Sequence, residues 1–127
     1  MSLYLSLNSL CDTILNANKN IQSVAVINHM GRLVEKLSRS NFERQFPDCM
    51  NELFCMQCVL EVSMGRDFDE KYGPINYQVS ESANLITLRF PFDKDLILVI
   101  VNKNVSSIAL ARKIVTIIHE HKTTIMT

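Results

Sequence analysis

The stretch from Pro47 to Lys71, PDCMNELFCMQCVLEVSMGRDFDEK, is apolar in more directions than one packed face requires. On a wheel of about 100° per residue, Cys49, Leu53, Met56, Leu60 and Met64 share one stripe. Met50, Phe54 and Phe68 extend it to one side, where Gln57 and Glu61 interrupt it. Cys55, Cys58, Val59 and Val62 fall on roughly the opposite side. One stripe must pack on the chain's own sheet. The other would stand in water unless something covers it, and burying a residue such as Val is worth roughly 1.5–3 kcal/mol. An exposed patch of this kind marks an interface. The reading adopted is a central helix from Pro47, suited to a first helical turn, to about Tyr72, where Gly73-Pro74 stops it. Cys55, Cys58, Val59 and Val62 are taken as the strip facing away from the core.

Upstream, Leu3, Leu7, Leu10, Cys11, Ile14 and Ala17 recur at helical spacing among polar residues, so an amphipathic first helix is expected. Ser23–Ile27 is a strand apolar on both faces and so internal to a sheet. Asn28-His29-Met30-Gly31 is a turn in which Gly31 can take the positive φ that closes a hairpin. Arg32 to Leu37 returns as a more exposed strand, with Leu33 and Glu35 on one face and Val34 and Lys36 on the other. A polar connection, Ser38 to Gln45, leads to Pro47.

Downstream, Ile75, Tyr77 and Val79 alternate with Asn76, Gln78 and Ser80, an edge strand with one dry and one wet face. Ile86, Leu88 and Phe90 repeat the pattern against Thr87 and Arg89, ending near Pro91. Leu96–Val101, after the turn Asp93-Lys94-Asp95, is buried on both faces. Ile108, Ala111, Ile114, Val115 and Ile118 form one face of a closing helix, with Asn104 or Ser106 as its N-cap. The fold class expected is α+β, a five-stranded antiparallel sheet with helices on both faces, in the order α-β-β-α-β-β-β-α.

At 127 residues the chain is one domain's worth, 1–127, and with 47 % apolar and 20 % charged residues it is globular. Thirteen basic residues balance thirteen acidic ones, which argues against nucleic acid or a membrane surface as partner. The start lacks a basic region before its apolar residues, so no signal peptide is read, and no run is long enough to span a bilayer. Four cysteines without a secretory signal point to reduced thiols and a cytoplasmic location.

Chemistry is harder to find. Cys55-Met56-Gln57-Cys58 is formally C-x-x-C, with Cys49 upstream, and such thiols can share a metal or a redox couple. Structural zinc needs four ligands and no second pair follows, so Cys49, Cys55 and Cys58 are read first as small apolar packing residues. His119 and His121 near the end of the last helix suit a cation at its negative dipole end, and His29 a solvated turn. Asp67, Asp69 and Glu70, interleaved with Arg66 and Lys71, form a solvated charged face rather than a cation loop. No nucleotide, metalloprotease or nucleophile-elbow motif occurs, and three glycines leave little for a phosphate cradle. Neither an enzyme nor a cofactor is expected.

The element order, with the hairpin SVAVINHMGRLVEKL and the late strand DKDLILVIV, resembles the roadblock/dynein-light-chain family, a relative of the profilin-like folds. More narrowly, RDFDEKYGPINYQVS followed by LITLRFPFDKDLILVIV resembles small uncharacterised proteins of ammonia-oxidising archaea. The family resemblance implies a non-catalytic homodimer paired through the long helix and the edge strand after it. It also implies, for some members, binding or regulation of a small Ras-like GTPase. On this reading the dimer interface is Cys55, Cys58, Val59, Val62, Ile75 and Tyr77. A small-ligand sensor with a pocket between sheet and helix, lined by methionine and phenylalanine, is the alternative.

Overall fold

The computed structural model describes residues 3–126, with side chains over 6–123. In chain order the elements are α1 (Leu3–Leu15), β1 (Ile21–Ile27), β2 (Leu33–Ser38), α2 (Ser40–Gln45), α3 (Glu52–Gly65), a 3-10 turn (Arg66–Phe68), α4 (Asp69–Tyr72), β3 (Gln78–Glu81), β4 (Ile86–Phe92), β5 (Asp95–Val101) and α5 (Ser107–Met126). The strands form one sheet in the order β2-β1-β5-β4-β3, every neighbouring pair antiparallel. The fold is thus α+β with helices on both faces of a five-stranded antiparallel sheet, as expected, with β1 and β5 inside and β3 at an edge.

The sheet is dry on both sides in the middle, and each side has its own lid. Val24, Val26, Ile97, Val99, Val101, Leu88 and Phe90 meet Leu7, Leu10, Cys11 and Ile14 of α1 and Leu110, Ala111, Ile114 and Ile118 of α5. The Leu3 side chain, expected on this face of α1, lies outside the described residues. Ile108, expected on the packed face of α5, is 54 % exposed in that helix's first turn. On the other side Ala25, Ile27, Leu96 and Leu98 are covered by Cys55, Cys58 and Val62 of α3.

Several local expectations are corrected. The connection after β2 is not irregular: Ser40–Gln45 forms α2, which buries Phe42. The central helix begins at Glu52, not Pro47, because Asn51 caps it, its Oδ1 accepting from the Phe54 amide at 2.9 Å. It breaks at Gly65 into the 3-10 turn and α4, and Gly73 at φ 83° then ends the run. Simple alternation fails in β2, where a bulge opposite Val26/Ile27 lets both Val34 and Leu37 pack toward α1 and α5. β4 runs through Pro91 to Phe92; β3 pairs with it only up to Arg89, so a missing donor there costs that side of the sheet nothing.

The first hairpin is closed as expected by Gly31 at φ 80°, and Asn28 Oδ1 supports it by accepting from the Met30 and Arg32 amides at 2.9 and 3.0 Å. One side chain ties the first half together. Arg39 donates through Nε to the Ile21 carbonyl at 2.6 Å and through Nη2 to those of Leu15 and Asn18 at 2.8 and 3.3 Å. A cation thus sits at the open end of α1, where unpaired carbonyls and the helix dipole favour it. Arg39→Met is expected to lower unfolding free energy by about 1–3 kcal/mol in chemical denaturation, since it leaves half-buried carbonyls unpaired.

Candidate functional site

The helix covering the lower face of the sheet is apolar on both sides, and the structure settles which side faces in. Cys55, Cys58 and Val62 are 2–4 % exposed, locked between α3 and the sheet. The expectation that these residues form an interface is overturned: they belong to the chain's own core. Val59 is half-buried against the same cluster. Tyr77 packs against the opposite core, its ring 6.4 Å from that of Phe90, and both Ile75 and Tyr77 precede β3 rather than lying in it. The physical reason is size. α3 lies close over Ala25, where the space takes Cys and Val, and beside Gly31, where a Cβ would come 3.4 Å from the Met56 Cα.

The large residues therefore point outward. Leu53, Met56, Leu60, Met64, Phe68 and Tyr72, spaced three or four apart through α3, the 3-10 turn and α4, are 41–79 % exposed. The stripe survives the break because Gly65, Arg66 and Asp69 keep right-handed helical angles, while Phe68 between them departs from these at φ −104° and ψ 6°. Met30 and Leu33, at the tip of the first hairpin and the start of β2, are also exposed. Met30, Leu33 and Met56 together line an open groove, which makes the apolar surface continuous from hairpin to helix.

Beside the stripe runs the β3 edge. Gln78 and Ser80, expected on a wet face, turn toward α3 instead and Val79 faces out. The cause is Arg89 of β4, 7 % exposed under α3. Its Nη2 lies 2.9 Å from Ser80 Oγ and 3.2 Å from the Glu61 carboxylate, and its Nε donates to Gln78 Oε1 at 3.4 Å. Gln78 Nε2 in turn donates to the Glu61 carbonyl at 3.4 Å. A buried guanidinium needs such partners. Gly65 completes the junction, since a Cβ there would come 2.5 Å from Ile75 Cδ1. α3 and the edge strand are thus joined as one unit.

The remaining candidates do little chemically. Burial pushes the Cys58 thiol up to about 11, against the pull of nearby Arg89, and raises those of Cys55 and Cys49. Burial, with help from Glu35, takes Cys11 to about 12. Reactive thiols are shifted the other way. Among the described residues no group of three or more His, Cys, Asp or Glu is placed to hold a metal ion. α5 continues to Met126, so His119 and His121 do not stand in its last turn. Burial lowers the pKa of His121, against the cationic capping role expected for it. His29 is exposed, its amide donating to Asp95 Oδ1 at 2.9 Å. Asp67 and Glu70 are exposed around the end of the helical run, as expected of a solvated face.

No family model matches the sequence, and no curated protein matches it. Among solved structures the chain is similar to MglB of Myxococcus xanthus (TM-score 0.75, 16 % identity, 99 % of this chain and 91 % of that one). It is similar to a Roadblock/LC7 domain from Streptomyces avermitilis (TM-score 0.70, 12 % identity, 94 % and 98 %). It also resembles a chain of a LokiProfilin1–rabbit actin complex (TM-score 0.54, 12 % identity, 94 % and 95 %). The fold is that of roadblock/LC7 domains and, more distantly, of profilins.

The thiols give a direct check. Native protein at about pH 8 should alkylate slowly at Cys11 and Cys58 and fastest at half-buried Cys49, read by mass spectrometry, with all four modified after denaturation. Thiol pKa values that rise on folding favour the protonated form. Their contribution to stability is complete below the ordinary thiol value of 9.0 and is lost as pH climbs toward 11–12.

Proposed function

We propose that this chain is a non-catalytic protein-interaction module that self-associates. The observation carrying this reading is the outward stripe Leu53–Met56–Leu60–Met64–Phe68–Tyr72, six large apolar side chains left in water by a helix whose other face is already packed. A soluble domain seldom leaves so long a contiguous apolar surface uncovered. Beside it β3 is short and has a free edge, open to pairing with another strand. Two copies related by a two-fold axis would bury both features at once, helix on helix and strand beside strand, and extend the sheet across the axis.

The interface in this reading is the stripe and the β3 edge, in place of Cys55, Cys58 and Val62. Beyond a second copy, the partners are proteins. A small Ras-like GTPase is the class that the roadblock-type fold points to, and the profilin-like neighbour solved with actin supports protein binding as a use of the architecture. The alternative, a ligand pocket between sheet and helix, is less favoured. Beneath α3 the space bordered by Val59, Val62 and Leu96 is about 70 Å³, below the roughly 300 Å³ at which small-molecule sites begin. The larger hollows, about 350 Å³ beside Leu7, Val26 and Phe92 and about 460 Å³ beside Met30 and Met56, lie open at the surface. No described helix is long and apolar enough to cross a membrane.

Light scattering at micromolar concentration tests the reading. Wild type should run at twice the chain mass, and Leu60→Asp or Met64→Asp should run as a folded monomer with unchanged circular dichroism. Cys58→Asp, placing a charge in the core, should instead cost several kcal/mol of stability or fail to fold. A wild-type monomer would sink the proposal.

A further inference from the structure

The two ends of the stripe differ in shape, and the difference says more about the self-association proposed above, on which this inference rests. At the N-terminal end of α3 the surface is hollow: Met30, Gly31, Leu33, Met50 and Met56 line an open groove of about 460 Å³. That is within the roughly 300–1,000 Å³ of sites that accept a small molecule, and methionine walls adapt to what enters. At the C-terminal end the surface projects. Phe68 and Tyr72 are 58 % and 74 % exposed, their ring centroids 6.1 Å apart.

We propose that the Phe68–Tyr72 aromatic pair of each copy seats in the methionine-lined groove of the other. Antiparallel packing brings them together. For an axis at Leu60, Phe68 of one copy lies opposite position 52 of the other; for an axis at Met64, Tyr72 lies opposite position 56. Any axis between them, in the middle of the stripe, sets one of the two rings against the stretch Glu52–Met56 at the mouth of the groove. The groove is rimmed by exposed Arg32 and Glu52 and the aromatics by exposed Asp67, Glu70 and Lys71, so each side carries charges of both signs. Large rigid aromatics filling a pocket near apolar contacts are the groups on which binding energy concentrates. The groove is then a site completed only by the second copy, and a two-fold dimer contains two such pairings.

Complementation tests this. Phe68→Ala/Tyr72→Ala, which removes the aromatics, and Leu33→Glu, which puts a charge in the groove at an exposed position, should each raise the dimer dissociation constant about ten-fold or more. Mixed, they should form a heterodimer tighter than either homodimer, because one aromatic pair and one groove remain intact in it. Tyr72→Trp supplies an independent signal in a chain with no native tryptophan. Its emission should shift to the blue on association and return on dilution. A double-alanine variant that dimerises like wild type while Leu60→Asp is monomeric, no recovery on mixing, or solvent-like Trp emission in a dimer would overturn the aromatic–groove pairing and leave the stripe reading standing. A wild-type monomer would overturn both.

Discussion

A sheet whose inner strands are apolar on both faces has to be covered twice, and most of this molecule follows from that demand. β1 and β5 leave no residue between Ser23 and Ile27, or between Leu96 and Val101, in contact with bulk water. Two helices from opposite ends of the chain, α1 and α5, share the upper face and can be amphipathic in the ordinary way. The lower face is left to α3 as its main cover. Because α3 must lie close to the strands to do this, the side chains at the centre of its inward face are Cys and Val, Phe54 packs at the margin of that face, and Leu53, Met56, Leu60 and Met64 point out.

Size, more than hydrophobicity, is what the sequence made hard to read in that helix. The two stripes were both visible on the wheel, but Leu, Met and Phe look more like core than Cys and Val do, and judged by hydrophobicity alone the helix faces the wrong way. The clue lay elsewhere in the chain, in Ala25 and Gly31, whose small size sets how closely α3 can approach. The sheet itself was legible: strand identity, the Gly31 hairpin, and the internal placement of β1 and β5 all follow from alternation and from doubly apolar runs. Alternation misled where a longer-range partner took charge. Gln78 and Ser80 turn inward because Arg89 is buried beneath α3, and nothing local to β3 announces that. The expected stop near Pro91 and the expected helix start at Pro47 failed for similar reasons. One depended on how far the neighbouring strand reached, the other on the Asn51 cap.

Arg89 also explains why two surfaces that are distant in sequence behave as one. A guanidinium held by Glu61, Gln78 and Ser80 fixes the position of α3 relative to the outermost strand. Breaking one partner of a buried charge costs more than the pair contributes, so the arrangement resists independent movement of helix and edge.

The sheet's two margins are unlike. β3 is four residues long, with Val79 facing out, whereas β2 carries Glu35 and Lys36, the latter held 2.7 Å from Glu43 of α2. Charged side chains along a border, lysine above all, discourage another strand from adding there. In the self-association proposed above, pairing along β3 would leave the charged β2 margin as the only remaining edge, so the assembly would close at two copies and form discrete particles rather than filaments.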